Sequence, residues 1–241
     1  MSAQKTAVVI GAGPGLGMSV AHRLGREGHA VALVSRTGAR HAGYVEELAG
    51  AGVEAASFPA DVRDRERLAA VLDAILDRYG RVDAVYYGPA ASGPDAWPTP
   101  ILEADADSVA TAMTTMYPAV DVVRRVLPGM LERHSGALLF ATGLSAVTPM
   151  PALGNLAVLS AALHTYALTL HAALADRGVY AGSLVIGGAI ERGDIYRMVA
   201  SRPAEFGDIS AMTLNPDDIA DAAWTMITER DRATATFSAM T

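Results

Sequence analysis

Short apolar runs alternate with longer amphipathic segments along almost the whole chain. Thr6–Ile10, Ala30–Ser35, Ala55–Pro59, Val82–Tyr87, Ala137–Ala141, Tyr180–Ile186 and Ala233–Ser238 read as strands. Between them, helices are expected over Gly15–Gly28, up to Gly50 from about Gly43, and over Asp64–Tyr79. The last of these carries Leu68, Val71, Leu72, Ile75 and Leu76 at helical spacing. A long helix is expected from Asp105 to Leu131, kinked at Pro118, and a nearly charge-free one from Asn155 to Arg177. Asn215-Pro216-Asp217 has the cap-and-first-turn chemistry that would start a helix reaching Thr228. Strand–helix alternation of this kind predicts an α/β class: a single Rossmann-type doubly wound domain over residues 1–241, with about seven parallel strands and helices on both faces. Ser92–Pro100 reads as a loop, and roughly 190–212 as a lid or substrate loop over the carboxyl ends of the strands.

One connection in this pattern has a chemistry of its own. The first strand runs into Gly11-Ala12-Gly13-Pro14-Gly15-Leu16-Gly17, and a helix opens near Gly15. Glycines let a backbone turn tightly and approach a pyrophosphate, while the helix N-terminus supplies free N–H groups and a positive dipole end. Gly11, Gly13, Gly15, Leu16 and Gly17 are therefore candidate cofactor-binding positions; a ligand-free glycine turn is the plainer alternative. The second strand ends Val34-Ser35-Arg36-Thr37 with no carboxylate to hold a ribose diol. Arg36 instead offers a planar fork suited to a 2′-phosphate, so NADP(H) is expected over NAD(H), with Ser35 beside it. A solvated surface arginine is the competing reading. Asp61 and Val62, after the third strand, are candidates for holding an adenine, against an ordinary turn aspartate; Gly88 follows the fourth strand.

Composition narrows the classes. The net charge is −7, which disfavours nucleic acid as a partner. No cysteine is present, so disulfides, thiolate nucleophiles and zinc–thiolate sites are excluded. No set of histidines and carboxylates has a metal-ligand spacing, and none of the apolar runs is an uninterrupted stretch of roughly 18 residues. The N-terminus lacks a signal-peptide layout, so a cytoplasmic protein without a membrane partner is expected. Lys5 is the sole lysine.

The motifs and their order resemble those of the short-chain dehydrogenase/reductase family. The glycine loop, Asp61-Val62, Arg81-Val82-Asp83-Ala84-Val85, Val126-Leu127-Pro128-Gly129-Met130, Gly136-Ala137-Leu138-Leu139-Phe140 and Asn215-Pro216-Asp217-Asp218-Ile219-Ala220 carry the likeness over nearly the whole chain. The resemblance implies a catalytic Asn-Ser-Tyr-Lys tetrad. By spacing, those positions hold Thr115, Gly143, Leu156 and Ser160, and the family's Asn-Asn-Ala-Gly turn reads Tyr86-Tyr87-Gly88-Pro89. A divergent, atypical branch lacking the tetrad is implied. It also implies homodimers or homotetramers through the two long helices 105–131 and 155–177.

A leucine cannot move a proton. Catalytic candidates are then Tyr87, whose phenol either turns into the pocket or, on the plainer reading, packs its wall, Thr142 and Ser145 as carbonyl-orienting groups or local turn caps, Asn155, and Ser160 as a ribose contact. His164 and His171 are conceivable bases but read more simply as packed or exposed; Asp194, Tyr196 and Arg197 fall in the lid. The expected function is an NADPH-dependent reductase of an apolar, carbonyl-bearing or conjugated small molecule, by a non-standard proton route. The alternatives are a catalytically silent NADP(H)-binding sensor or partner subunit, and an isomerase, dehydratase or cyclase reusing the cavity.

Overall fold

A computed structural model describes residues 4–89 and 97–239. In chain order its elements are β1 (Lys5–Ile10), α1 (Leu16–Arg26), β2 (His29–Val34), α2 (His41–Gly50), β3 (Ala55–Ser57), α3 (Arg65–Tyr79), β4 (Ala84–Tyr87), α4 (Ala106–Met113) and α5 (Tyr117–Glu132). There follow β5 (Gly136–Gly143), α6 (Gly154–Leu174), β6 (Val179–Gly187), β7 (Ala189–Ile190), α7 (Asp194–Ala200), α8 (Pro203–Phe206), β8 (Thr213–Leu214), α9 (Pro216–Glu229) and β9 (Thr234–Ser238). Seven strands form one sheet in the order β3-β2-β1-β4-β5-β6-β9, and every pairing is parallel. The order reverses between β1 and β4, which opens a crevice at their carboxyl ends.

Side chains alternate across a strand, so a sheet covered on both faces needs apolar residues at every position. Val8, Ile10, Val85, Tyr87, Leu138 and Phe140 bury one face against α3, α5 and α6. Ala7, Val9, Ala84, Tyr86, Ala137 and Leu139 bury the other against α1, α2 and α9. Asp64 caps α3 by accepting from the Arg67 N–H at 3.0 Å.

The expected helix from Asp105 to Leu131 is two helices, broken at Thr114–Met116. Pro118 does not kink a continuous helix. It sits in the first turn of α5, where its missing N–H leaves no carbonyl unpaired. The expected lid holds structure of its own, because β7 and β8 pair at its base through Ala189–Thr213 and Ile190–Leu214. The expected Ser92–Pro100 loop lies outside the described residues from 92 to 96; Trp97–Pro100 forms neither helix nor strand. The segment Pro151–Leu174 is long and apolar enough to cross a membrane by composition, and α6 within it packs on β5 and β6.

Candidate functional site

A cleft of about 580 Å³ opens at the carboxyl ends of the strands, across the β1–β4 crevice. Its floor is the glycine turn. Gly11 has a φ of 98°, and a Cβ there would overlap the Gly88 carbonyl. A Cβ at Gly17 would overlap the Gly11 carbonyl, and one at Gly15 would sit 3.1 Å from the Gly193 Cα. Backbone thus packs on backbone, with no room for a side chain at Gly11 or Gly17 and a tight fit at Gly15. No side chain caps the first turn of α1; its Met18 N–H donates to the Gly13 carbonyl at 3.0 Å, which leaves the Leu16 and Gly17 N–H groups to an anion. Leu16 opens that helix.

At one end, the cleft is lined by Ser35, Arg36, Arg40, Asp61, Val62 and Arg63. Three arginines share this wall with Asp61 and Asp194, which leaves an excess of one positive charge. The Arg63 guanidinium grips Asp61 at 2.6 Å and, with Arg36 nearby, holds its carboxyl below the usual carboxylate range. Asp61 is consequently charged and already engaged. Arg40 donates to both Asp194 oxygens, at 2.7 and 2.9 Å, joining the turn after β2 to the start of α7. On the other side of that segment Arg192 reaches Asp217 at 2.7 Å and Ser19 at 2.9 Å.

At the other end, Pro89, Trp97, Thr111, Thr115, Leu156 and Leu159 make a mainly apolar wall. Gly143 ends β5. A Cβ there would lie 3.3 Å from the Ser145 hydroxyl and 3.3 Å from the Ser160 hydroxyl. Both serines are nearly buried, and neither hydroxyl has a hydrogen-bond partner among the described residues.

Several sequence candidates are occupied elsewhere. Tyr87 does not enter the pocket. Its side chain is 0 % exposed, its phenol donates to the Thr115 carbonyl at 2.5 Å, and burial pushes its pKa up. Asn155 is a brace: its Oδ1 accepts from the Thr99 N–H at 2.9 Å and its Nδ2 donates to the Ser108 carbonyl at 3.3 Å. Thr142 donates to the Ser160 carbonyl at 3.0 Å, fixing β5 to α6. Ser35 donates to the Thr37 carbonyl at 3.1 Å, so its proton is committed within its own turn. His164 faces Ser183 and His171 the Ala181 carbonyl, both on β6. Arg40, Arg63 and Trp97 were not singled out from sequence. Arg40 stands four residues past Arg36, and Arg63 directly follows Asp61-Val62, which is the signal that could have found these two.

The chain matches the short chain dehydrogenase family over residues 5–191. It is 35% identical over 136 residues to a Streptomyces coelicolor protein named "Putative ketoacyl reductase", spanning 56% of this chain and about half (51%) of that relative. It is 28% identical over 232 residues to 1-deoxy-11-beta-hydroxypentalenate dehydrogenase of Streptomyces avermitilis, spanning 91% of this chain and 79% of the relative. Among solved structures, an actinorhodin polyketide ketoreductase with NADPH superposes with a TM-score of 0.82 at 22% identity, covering 97% of this chain and 95% of that one. That likeness concerns the fold. The match over residues 5–191, with the glycine turn, the sheet order and the crevice, places the chain in the short-chain dehydrogenase family.

Proposed function

We propose that this chain is an NADP(H)-dependent reductase of an apolar, carbonyl-bearing small molecule, with a proton route that does not use a tyrosine. One observation carries the reading: a single cleft joins the glycine turn and Arg36 to an apolar wall at Leu156 and Leu159. The glycine turn and the α1 N-terminus would hold the pyrophosphate, and Arg36 the 2′-phosphate. The relatives named for ketoacyl and ketoreductase activity support the same class. When bound, the dinucleotide supplies a hydride to the carbonyl carbon. The chain's own part is to hold and polarise the carbonyl oxygen. The Ser145 and Ser160 hydroxyls, unpartnered beside Gly143, are the groups we assign to that oxygen.

The positions of the family's tetrad hold Thr115, Gly143, Leu156 and Ser160, and none is a phenol or an amine. Tyr87 is sealed in the core. We therefore assign the proton to water entering the cleft. Residues 190–212 act as the lid, tied down by the Arg40–Asp194 and Arg192–Asp217 pairs.

The test is NADPH oxidation, followed by absorbance, against a panel of apolar ketones, enones and quinones. Turnover that falls about 10- to 1,000-fold in a Ser145→Ala/Ser160→Ala variant, with NADPH affinity unchanged, is the expected result. The residues we assign to the tetrad positions give the second reading its force. Tight NADPH binding with no turnover on any substrate would make the chain a silent NADP(H)-binding protein.

A further inference from the structure

His41 is the first residue of α2, yet its side chain is 1 % exposed. Its Nε2 lies 2.7 Å from the Ser35 Oγ, and its Nδ1 lies 2.6 Å from the Ser57 Oγ. Proton counting gives this chain a direction. The Thr37 carbonyl can only accept, so both Ser35 contacts are hydrogen bonds at once only when its single hydroxyl proton points there. Ser35 must then accept from His41, which places the ring proton on Nε2. Burial lowers the His41 pKa, which keeps the ring neutral. Its bare Nδ1 accepts from the Ser57 hydroxyl. The result is a one-way relay from Ser57 on β3, through His41 on α2, to Ser35 and the Thr37 carbonyl.

Arg36 lies inside the turn that this relay closes. Ser35 cannot donate to a ligand without giving up Thr37, so its contribution is to the shape of the turn. We infer that His41 is a positioning residue that presets the Ser35–Thr37 turn to receive a 2′-phosphate, and so sets the preference for NADP(H) over NAD(H). This rests on the reading that Arg36 meets that phosphate. A turn held in its binding shape does not have to be ordered when ligand arrives, so affinity rises for the ligand that reads the turn. A ligand without a 2′-phosphate does not read it and gains nothing.

The experiment is calorimetric titration of NADPH, NADH and adenosine 2′,5′-bisphosphate into wild type, Arg36→Ala, His41→Phe, His41→Gln and Ser57→Ala. In His41→Phe, both 2′-phosphorylated ligands should weaken about 5- to 10-fold while NADH stays within about 2-fold. His41→Gln, whose amide can donate from the Nε2 position, should restore the wild-type ratio. A merely structural histidine would weaken NADPH and NADH together, and that result, or no change in either, overturns the inference. If His41→Phe does not fold, Ser57→Ala at the exposed end of β3 decides: a drop of about 2-fold or more in the NADPH-to-NADH preference supports the relay, and an unchanged preference overturns it. Arg36→Ala separates the two layers. If it leaves the preference intact, the 2′-phosphate reading itself fails; if it abolishes the preference while His41→Phe leaves it unchanged, the relay alone fails.

Discussion

At the scale of single residues, the proposed chemistry turns on Gly143, Leu156 and Ser160, of which Leu156 lines the cleft. Leu156 and Ser160 are one helical turn apart on α6, where the family resemblance implies a tyrosine and a lysine. A Cβ at Gly143 would stand 3.3 Å from two hydroxyl oxygens, close enough to need only a small side-chain adjustment. The site at Gly143 therefore has room for a serine Cβ, and the triple variant Gly143→Ser/Leu156→Tyr/Ser160→Lys, checked first for folding by its thermal melt, tests the chemistry. If the three substitutions account for the loss of a protein proton donor, the variant should reduce ketones at least about 100-fold faster than wild type, the lower bound for a positioned general acid. Steady-state rates at saturating NADPH check this. No gain, with NADPH still bound, would mean that the cleft has been remodelled beyond those three positions. Single residues were also where sequence reading was weakest. Tyr87 and Asn155 have side chains capable of catalysis, and nothing in the sequence shows that one is sealed against Thr115 and the other spent on Thr99 and Ser108. Hydrogen bonds across 28 to 56 residues leave no local pattern.

At the scale of elements, most of the fold was legible. Strands buried on both faces write continuous apolar runs, and β1 to β6 and β9 fall where those runs lie. The α4–α5 break was not legible, because a proline inside a long helical pattern signals a kink and a new first turn alike. The same junction matters for the site, since Thr115 lies within it and lines the cleft. Asn155 holds this wall in place, tying α6 to Thr99 and to α4 through Ser108. Replacing it by alanine leaves the Thr99 N–H and the Ser108 carbonyl without that partner. Asn155→Ala should cost about 1–3 kcal/mol of stability. It should also raise the KM for carbonyl substrate more than that for NADPH, because the glycine turn and the arginine wall are untouched. Denaturant melts and paired KM measurements check both parts. An equal rise in both constants would place Asn155 in the support of the whole cleft rather than of its apolar end.

At the scale of the molecule, two features reach beyond the cleft. His29, His41 and His164 each have a pKa pushed below 6.5, chiefly by burial. A depressed histidine pKa means that the unfolded chain binds the proton first. Stability should hold at and above neutral pH and decline as pH falls below about 6.5. Thermal melts from pH 7.5 to 5 should show Tm falling in that window, with a smaller fall in His41→Gln. A Tm that is flat there would mean that these rings protonate without strain.

The second feature is the outer face of α6. From Gly154 to Leu174 the helix has no charged residue, although a helix against a sheet normally turns a polar face to water. Val158 on α6 is 41 % exposed, and α5 adds Tyr117 and Val120 at 54 % and 39 %. Apolar surface of this kind, on helices that the sheet covers on one side only, suits a second copy of the chain. A stable pairing needs about 800 Å² from each partner, more than one side chain supplies, so both helices should contribute. Placing a charge at the centre of such a face strands it unpaired when the copies meet. Val158→Asp should therefore shift the mass seen by light scattering at micromolar concentration from an oligomer to a monomer, with NADPH binding retained. A wild-type monomer under those conditions would remove the dimer or tetramer from this account, and leave the apolar face of α6 to some other partner.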